Sequence, residues 1–449
     1  MRDASRTGVA EPGASSLTGV RELWLRRLPL AILFLAVVLL GAWTTHRLPG
    51  TPPLEGDDVY VLGWASQARA ADLIRVDPSS YPEWRPLAFA TVWLQFQMTG
   101  LSSVVPYQIV NIVCWLGCVC LAGWLVYRVT GGWAAPAVSM AVLVTDARWM
   151  SSLIWIDDRQ TTIACLLGLS ALIIALPRDA RLSGRSQVLV GALLLCAPLG
   201  KEYGLAFALS VAAVGVLDRR RDLLWPAIGA LAVYAALRLV LVSGASQRYC
   251  EDVGFFFGHR RVCSNSPEWI AQVAYNVVAT FLGSLFEGVF DSKGAVHLSV
   301  PRLLLSAVVV AMAVGAWVSR DRTARVGLGL LVFNAALSLM LYRTRNQPIA
   351  LTGVALAAGI GFERLRSLSE GRWTSLAAPS AAVLIALNAA LHGVQFHAAL
   401  DEHRLRLDRQ QAASAGIADP GDVAVIATVC CTVLPPDVIP GVQMARSAS

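Results

Sequence analysis

The sequence predicts an all-α protein that crosses a membrane many times, and three observations carry that prediction. The chain of 449 residues is 56% hydrophobic and 15% charged, whereas soluble domains carry about a quarter of their residues as charges. Its apolar residues gather into blocks of roughly 15–25, the length at which a helix crosses the hydrocarbon core. The cations between the blocks are clustered arginines, with Lys201 and Lys293 the two lysines of the chain. A water-soluble enzyme of this length is excluded, because the sequence supplies too little polar surface to cover one.

The first block, 29–45, follows Arg21, Arg26 and Arg27. No small-residue cleavage site follows it, so it reads as a retained span rather than a removed signal peptide. Further spans fall at 104–127, 133–145, 161–177, 187–199, 203–217, 225–243, 300–318, 326–342, 348–362 and 374–392. Short loops hold Arg178, Arg181 and Arg185; Arg219, Arg220 and Arg221; Arg320, Arg322 and Arg325; and Arg364, Arg366 and Arg372. Arginine-rich short loops stay cytoplasmic, and strict alternation of about 11 spans puts every cluster on that side. Residues 1–28 are then cytoplasmic, 29–392 form the transmembrane domain, and the tail 393–449 is extracytoplasmic. Long outer loops cover about 46–103 and 244–299. The segment 268–290 is long enough to span, but counting it would throw Arg320, Arg322 and Arg325 outside. It is therefore expected to lie on the outer face, with Glu268, Gln272, Asn276 and Glu287 on its wet side.

A net charge of +7 could point to nucleic acid. Here the arginines separate apolar blocks, so they set topology and no nucleic-acid partner is expected. The nine cysteines form no zinc pattern. Cys114, Cys118, Cys120, Cys165 and Cys196 lie within apolar blocks and read as small core residues. Cys250 and Cys263 lie in a polar outer loop and are disulfide candidates if that loop meets an oxidising compartment. Cys430 and Cys431 remain unassigned.

Five segments bring charge to the outer side. They are Asp57 and Asp58 after the first span; Asp146 and Arg148; Asp157, Asp158 and Arg159; Lys201 and Glu202; and Arg343, Arg345 and Asn346. Each has a bland reading: a helix cap for Asp57 and Asp58, a local ion pair for Asp157–Arg159, an interfacial hairpin for Lys201 and Glu202, headgroup contacts for Arg343 and Arg345. Against these stands the convergence of acids and cations on one face, where isolated charges beside apolar neighbours are costly. Carboxylates suit general-base work on a hydroxyl, and arginine and lysine suit a phosphate. Together they describe a site that holds a phosphate at the membrane and activates an alcohol.

An acidic pair in the first outer loop of a many-spanning chain resembles the GT-C glycosyltransferases. More narrowly, Tyr81 through Trp115 is similar to the transmembrane O-mannosyltransferases that carry tetratricopeptide repeats. Trp84-Arg85-Pro86-Leu87 matches their aromatic-Arg-Pro-Leu, and Tyr107 with Asn111 matches their helix opening. In SLIWIDDRQTTIACLLGL, Arg159 falls on their arginine, while Asp157 and Asp158 precede it in place of a following aspartate. Lys201 and Glu202 fall on their Lys-Glu turn. The likeness covers about residues 50–220. No repeat array follows the last span, and the closing motif survives as Arg343, Arg345 and Pro348.

The resemblance implies a GT-C-like helical bundle in a bacterial plasma membrane, serving the cell envelope. It implies inverting transfer of a hexose, mannose foremost, from a polyprenyl-phosphate carrier to an extracytoplasmic hydroxyl on a glycan, lipid or protein. Asp58, or Asp57 beside it, would take the acceptor proton. Lys201, Arg159, Arg343 and Arg345 would hold the departing phosphate, with Arg85, Asp146, Arg148, Asp158 and Glu202 in support. No metal or other cofactor is implied, although Asp57, Asp58 and Asp146 could offer oxygens to a divalent cation. Three rivals are a ligase acting on a diphosphate-linked polymer, a transporter or flippase, and a non-catalytic membrane scaffold, which would not require acids and bases to converge. The second predicts charges and broken helices at the midplane, whereas Arg238 and Arg302, the charges within the spans, lie toward outer ends.

Overall fold

The computed structural model describes residues 56–73, 84–100, 104–144, 146–149, 152–153, 155–176, 180–241, 250–253, 260–263, 267–285, 300–319, 321–338 and 347–368, together with positions 35 and 39. The expected spans at 29–45 and 374–392, the tail, Cys430 and Cys431 lie outside the described residues. The helices are α1 (Gly56–Gln67), α2 (Pro86–Thr99), α3 (Val105–Thr130), α4 (Ala134–Val144), α5 (Arg159–Ala175), α6 (Gly184–Gly200), α7 (Leu205–Leu217) and α8 (Arg221–Leu241). A ribbon of β1 (Cys250–Val253) and β2 (Arg260–Cys263) follows, then α9 (Glu268–Leu285), α10 (Val300–Ser319), α11 (Arg322–Leu337) and α12 (Pro348–Leu368).

Local chemistry sets many of these limits. Pro86 and Pro106 open α2 and α3, where a missing N–H costs nothing. Ser183 caps α6 by accepting from the Ser186 N–H, and Asp321 caps α11 by accepting from Thr323 and Ala324. Gly131 ends α3 at φ 70°, a left-handed conformation that glycine adopts without strain. By length and composition α3, α8 and α12 are long and apolar enough to cross a membrane, while α4 to α7 are shorter apolar helices. The shorter ones stop where charge begins: α5 starts at Arg159, and α6 ends one residue before Lys201.

The core joins α3, α4, α5, α6, α7, α11 and α12 around Trp115, Phe207, Leu169 and Leu356. Small residues let the helices meet backbone to backbone. A Cβ on Gly353 would collide with the Gly327 carbonyl oxygen, and one on Gly361 with that of Met312. Close approach through small residues is how apolar helices associate where lipid removes the hydrophobic drive.

The bundle has two chemically distinct ends. At one, Asp218 binds Arg322 and Arg325, and Asp222 binds Arg220 and accepts the Leu182 N–H. Exposed Trp133, Trp225 and Trp317 lie near the helix termini at this arginine-rich end. Burial alone would raise the Asp218 pKa, but hydrogen bonds and charge from Arg322 and Arg325 outweigh it and hold the carboxyl below its ordinary value. A depressed carboxyl contributes stability above its unfolded pKa and loses it as pH falls through the folded one. The unfolding temperature should therefore fall below about pH 4, and Asp218→Asn should already sit on the lowered plateau at pH 7. Equal pH profiles for both proteins would show that the Asp218 clasp contributes nothing.

One expectation about the long loop is altered by α9. Gln272 and Asn276, expected on a wet face, are buried, and exposed Ile270, Val278 and Leu282 take the outer face. The helix is turned the other way because its polar stripe packs on α11 and α12, leaving apolar side chains outward. Glu287 lies outside the described residues. The ribbon before α9 pairs Cys250 directly with Cys263. Opposed antiparallel residues have Cα atoms about 4.5–5.5 Å apart, within the range a disulfide bridges. Intact-mass analysis should show the 244–268 peptide lighter by two hydrogens before reduction. Reduction should cost roughly 3 kcal/mol of stability on the chain-entropy model; two free thiols would refute the bridge.

Candidate functional site

At the opposite end of the bundle the sequence brings together four of its five charged segments. α1 packs Val61, Leu62 and Ala65 against Val92, Tyr107 and Ile156, which sets Asp58 in its first turn over the start of α5. Asp58 is 1% exposed, and its Oδ1 accepts the Asp157 N–H at 2.9 Å. Asp157 Oδ2 accepts from Gln160 Nε2 at 3.3 Å, and Gln160 Oε1 accepts from Arg85 Nη1 at 2.7 Å. Arg85 Nε donates to Glu202 Oε2 at 2.8 Å, and Arg238 Nη1 reaches Glu202 Oε1 at 3.5 Å. One chain of contacts thus runs from α1 to α8 across five segments. Arg85, expected to brace the first outer loop, ties it to the Lys201–Glu202 turn.

A second group centres on Asp158. The aspartate stands at the N-cap position of α5, yet its side chain caps nothing. It accepts instead from Ser152 at 2.8 Å, Thr161 at 2.7 Å and Lys201 Nζ at 2.8 Å, and Lys201 also donates to Thr161 Oγ1 at 2.6 Å. This is neither a local ion pair nor an interfacial hairpin. Lys201 is 2% exposed, so a partner 43 residues away neutralises Asp158 inside the protein.

Arg159 forms a third group. Its Nε donates to Asn111 Oδ1 at 2.7 Å, its Nη2 to the Tyr107 carbonyl at 3.0 Å, and its guanidinium lies 5.8 Å from the Tyr107 ring centroid. Asn111 Nδ2 donates onward to the Trp155 carbonyl at 2.9 Å. The buried Nη1 of Arg159 has no hydrogen-bond partner among the described residues. Three residues on which the family likeness rests, Tyr107, Asn111 and Arg159, therefore meet in one hydrogen-bonded unit.

The fourth group is Asp146 with Arg148. The two are ion-paired, and Arg148 also donates to the Gly283 carbonyl and to Gln347 Oε1, the latter at 3.3 Å. Asp57 lies on α1 beside Asp58, and Arg343 and Arg345 lie outside the described residues. Among the described residues no three His, Cys, Asp or Glu side chains gather to hold a metal.

Sequence reasoning missed the neutral members of the network, namely Ser152, Gln160, Thr161 and Gln347. The signal was present in Gln160-Thr161-Thr162, three polar residues opening an otherwise apolar helix. Such residues facing a bundle interior mark functional or bracing contacts. Arg238 was visible as a charge within a span and Glu202 as a site residue, but their pairing was not.

No family model, curated protein or solved structure matches the chain. The geometry itself is what bears on function. A carboxylate, a guanidinium with an open donor and two internally paired charge groups are held at one end of an apolar helical bundle.

Proposed function

We propose that this chain is a GT-C-type membrane glycosyltransferase that moves a hexose, mannose foremost, from a polyprenyl-phosphate carrier to an extracytoplasmic hydroxyl, with inversion. The observation that carries the proposal is the convergence of Asp58, Arg85, Asp158, Arg159, Lys201 and Glu202 at one end of an apolar bundle. The arginine clusters and exposed tryptophans at the other end fit a cytoplasmic face. They fit the arrangement of about 11 spans with an inside N-terminus and an outside tail.

In this reading the acceptor oxygen attacks the anomeric carbon as the bond from that carbon to the phosphate oxygen breaks. The bonding electrons leave with the phosphate, and the acceptor proton passes to the Asp58 carboxylate. Negative charge grows on the phosphate in the transition state, where fixed donors count most. Arg159 Nη1 is the open donor in the described junction, and Arg343 and Arg345 are the further cations this proposal assigns to the phosphate. Lys201 acts through Asp158 as a positioning residue that fixes the start of α5, and with it Arg159.

The test uses full-length protein in proteoliposomes with labelled polyprenyl-phosphate mannose, a diphosphate-linked glycan, and a simple acceptor. Transfer from the monophosphate, with stoichiometric release of polyprenyl phosphate and an inverted anomeric centre, is the expected result. Transfer from the diphosphate donor alone would replace this reading with the ligase, and movement of intact donor across the bilayer would replace it with a flippase.

A further inference from the structure

The described residues hold a second polar feature, distinct from the charged junction. α9 carries Gln272, Asn276, Thr280 and Ser284 at four-residue spacing, and all four are buried. Four-residue spacing keeps them on one side of the helix. That side packs against α11 and α12, which bury Asn334 and neighbouring Gln347. Ile270, Val278 and Leu282 cover the other side, with Ile270 71% exposed. The helix is thus apolar toward its surroundings and polar toward the protein.

Polar residues between membrane helices ordinarily hydrogen-bond across the interface, and buried polar atoms are nearly always paired. This stripe is paired only in part. Gln272 Nε2 donates to Asn276 Oδ1 at 2.7 Å, and Ser284 Oγ to the Thr280 carbonyl at 2.7 Å, both within α9 itself. Gln272 Oε1 and Thr280 Oγ1 have no partner among the described residues, and both side chains are more than nine-tenths buried. An amide oxygen and a hydroxyl turned inward along one stripe are what a ligand bearing hydroxyl groups would satisfy. The four buried residues of the stripe carry no charge and suit neither a phosphate nor a metal ion; half-buried Glu268 continues the face one turn earlier. Arg148 closes the far end of the stripe by donating to the Gly283 carbonyl and to Gln347, and is itself ion-paired with Asp146.

We infer that the seam beneath α9 binds an uncharged polyhydroxyl group, a sugar ring. The inference rests on the proposed transferase reaction, within which the seam is the sugar subsite. The apolar outer face makes α9 a roof that separates that sugar from acyl chains. Two sources share this chemistry, the hexose of the lipid-linked donor and a sugar on the acceptor.

The experiment uses full-length wild type, Gln272→Met and Thr280→Val, reconstituted in nanodiscs. Affinities are measured for polyprenyl-phosphate mannose, for polyprenyl phosphate and for mannobiose, with melting temperature alongside. Each variant should bind sugar-bearing probes roughly 3- to 10-fold more weakly, the worth of one neutral hydrogen bond. Polyprenyl phosphate should bind as before. The melting temperature of Thr280→Val should hold, because its hydroxyl has no partner among the described residues, whereas Gln272→Met also removes the Nε2 donation to Asn276 and should melt lower. Weakening confined to polyprenyl-phosphate mannose assigns the seam to the donor sugar, and weakening confined to mannobiose assigns it to the acceptor. Variants that bind every probe like wild type overturn the inference, as does a wild type with no preference for the mannosyl lipid and no binding of mannobiose. Transfer that persists with unchanged variant affinities would remove the subsite and leave the transferase standing. Lost sugar binding in the variants without any transfer by wild type would do the reverse.

Discussion

Lys201→Met should destabilise the protein by about 3–5 kcal/mol, the usual cost of breaking a buried ion pair from one side. The lysine and Asp158 have side chains 3% and 0% exposed and lie 2.8 Å apart, so neither can turn to water when its partner is lost. Methionine keeps the volume of the lysine stem and removes only the charge. Asp158 would then keep the hydroxyls of Ser152 and Thr161 but lose the ammonium 2.8 Å from its carboxylate. The double variant Lys201→Met with Asp158→Asn removes the charge as well, and should recover most of the loss. Folded proteins have only about 5–15 kcal/mol in hand, so the single variant should lower the unfolding midpoint in detergent visibly. A midpoint equal to that of wild type would mean that the pair is not closed off from solvent.

The helices were largely legible in the sequence because apolar blocks in this chain end at charges. The expected span at 104–127 is α3, 187–199 lies within α6, and 225–243 corresponds to α8 within a few residues. Where the two differ, the helix runs on into polar sequence that hydropathy alone cuts off: α11 starts at Arg322 rather than 326, because Asp321 caps it. The orientation of α9 was misread for a related reason. Its pattern shows one polar and one apolar face, and a pattern cannot say which face meets protein. In water the polar face turns outward, whereas in α9 that face packs inward.

The site was legible as a gathering of residue types and not as a set of pairs. That Asp58, Asp158, Arg159, Lys201 and Glu202 would share one end followed from alternation of the spans. That Asp158 belongs to Lys201, Glu202 to Arg85 and Arg159 to Asn111 did not, since these pairs join residues 43, 117 and 48 positions apart. The consequence is chemical. Lys201 was expected to meet a phosphate, and it is enclosed by Asp158 and Thr161. Arg159, whose two other donors are taken, retains one open nitrogen.

The central claim is that this junction is a reaction centre and not only a brace, and Asp58 separates the two. Its Oδ1 accepts the Asp157 N–H at 2.9 Å. An asparagine places a carbonyl oxygen in the same position, so Asp58→Asn should keep the contact between α1 and the start of α5. What asparagine lacks is a basic oxygen able to take the acceptor's proton. General-base catalysis contributes about 10²–10⁴-fold, and a bracing role contributes none of that. Asp57→Asn, on the neighbouring residue, should cost less activity. The decisive measurement is release of labelled polyprenyl phosphate from polyprenyl-phosphate mannose by Asp58→Asn and wild type, in matched proteoliposomes with equal melting temperatures. The account predicts that the variant binds donor nearly as wild type does and turns it over at least 100-fold more slowly, in line with that range. Wild-type turnover by Asp58→Asn would contradict it.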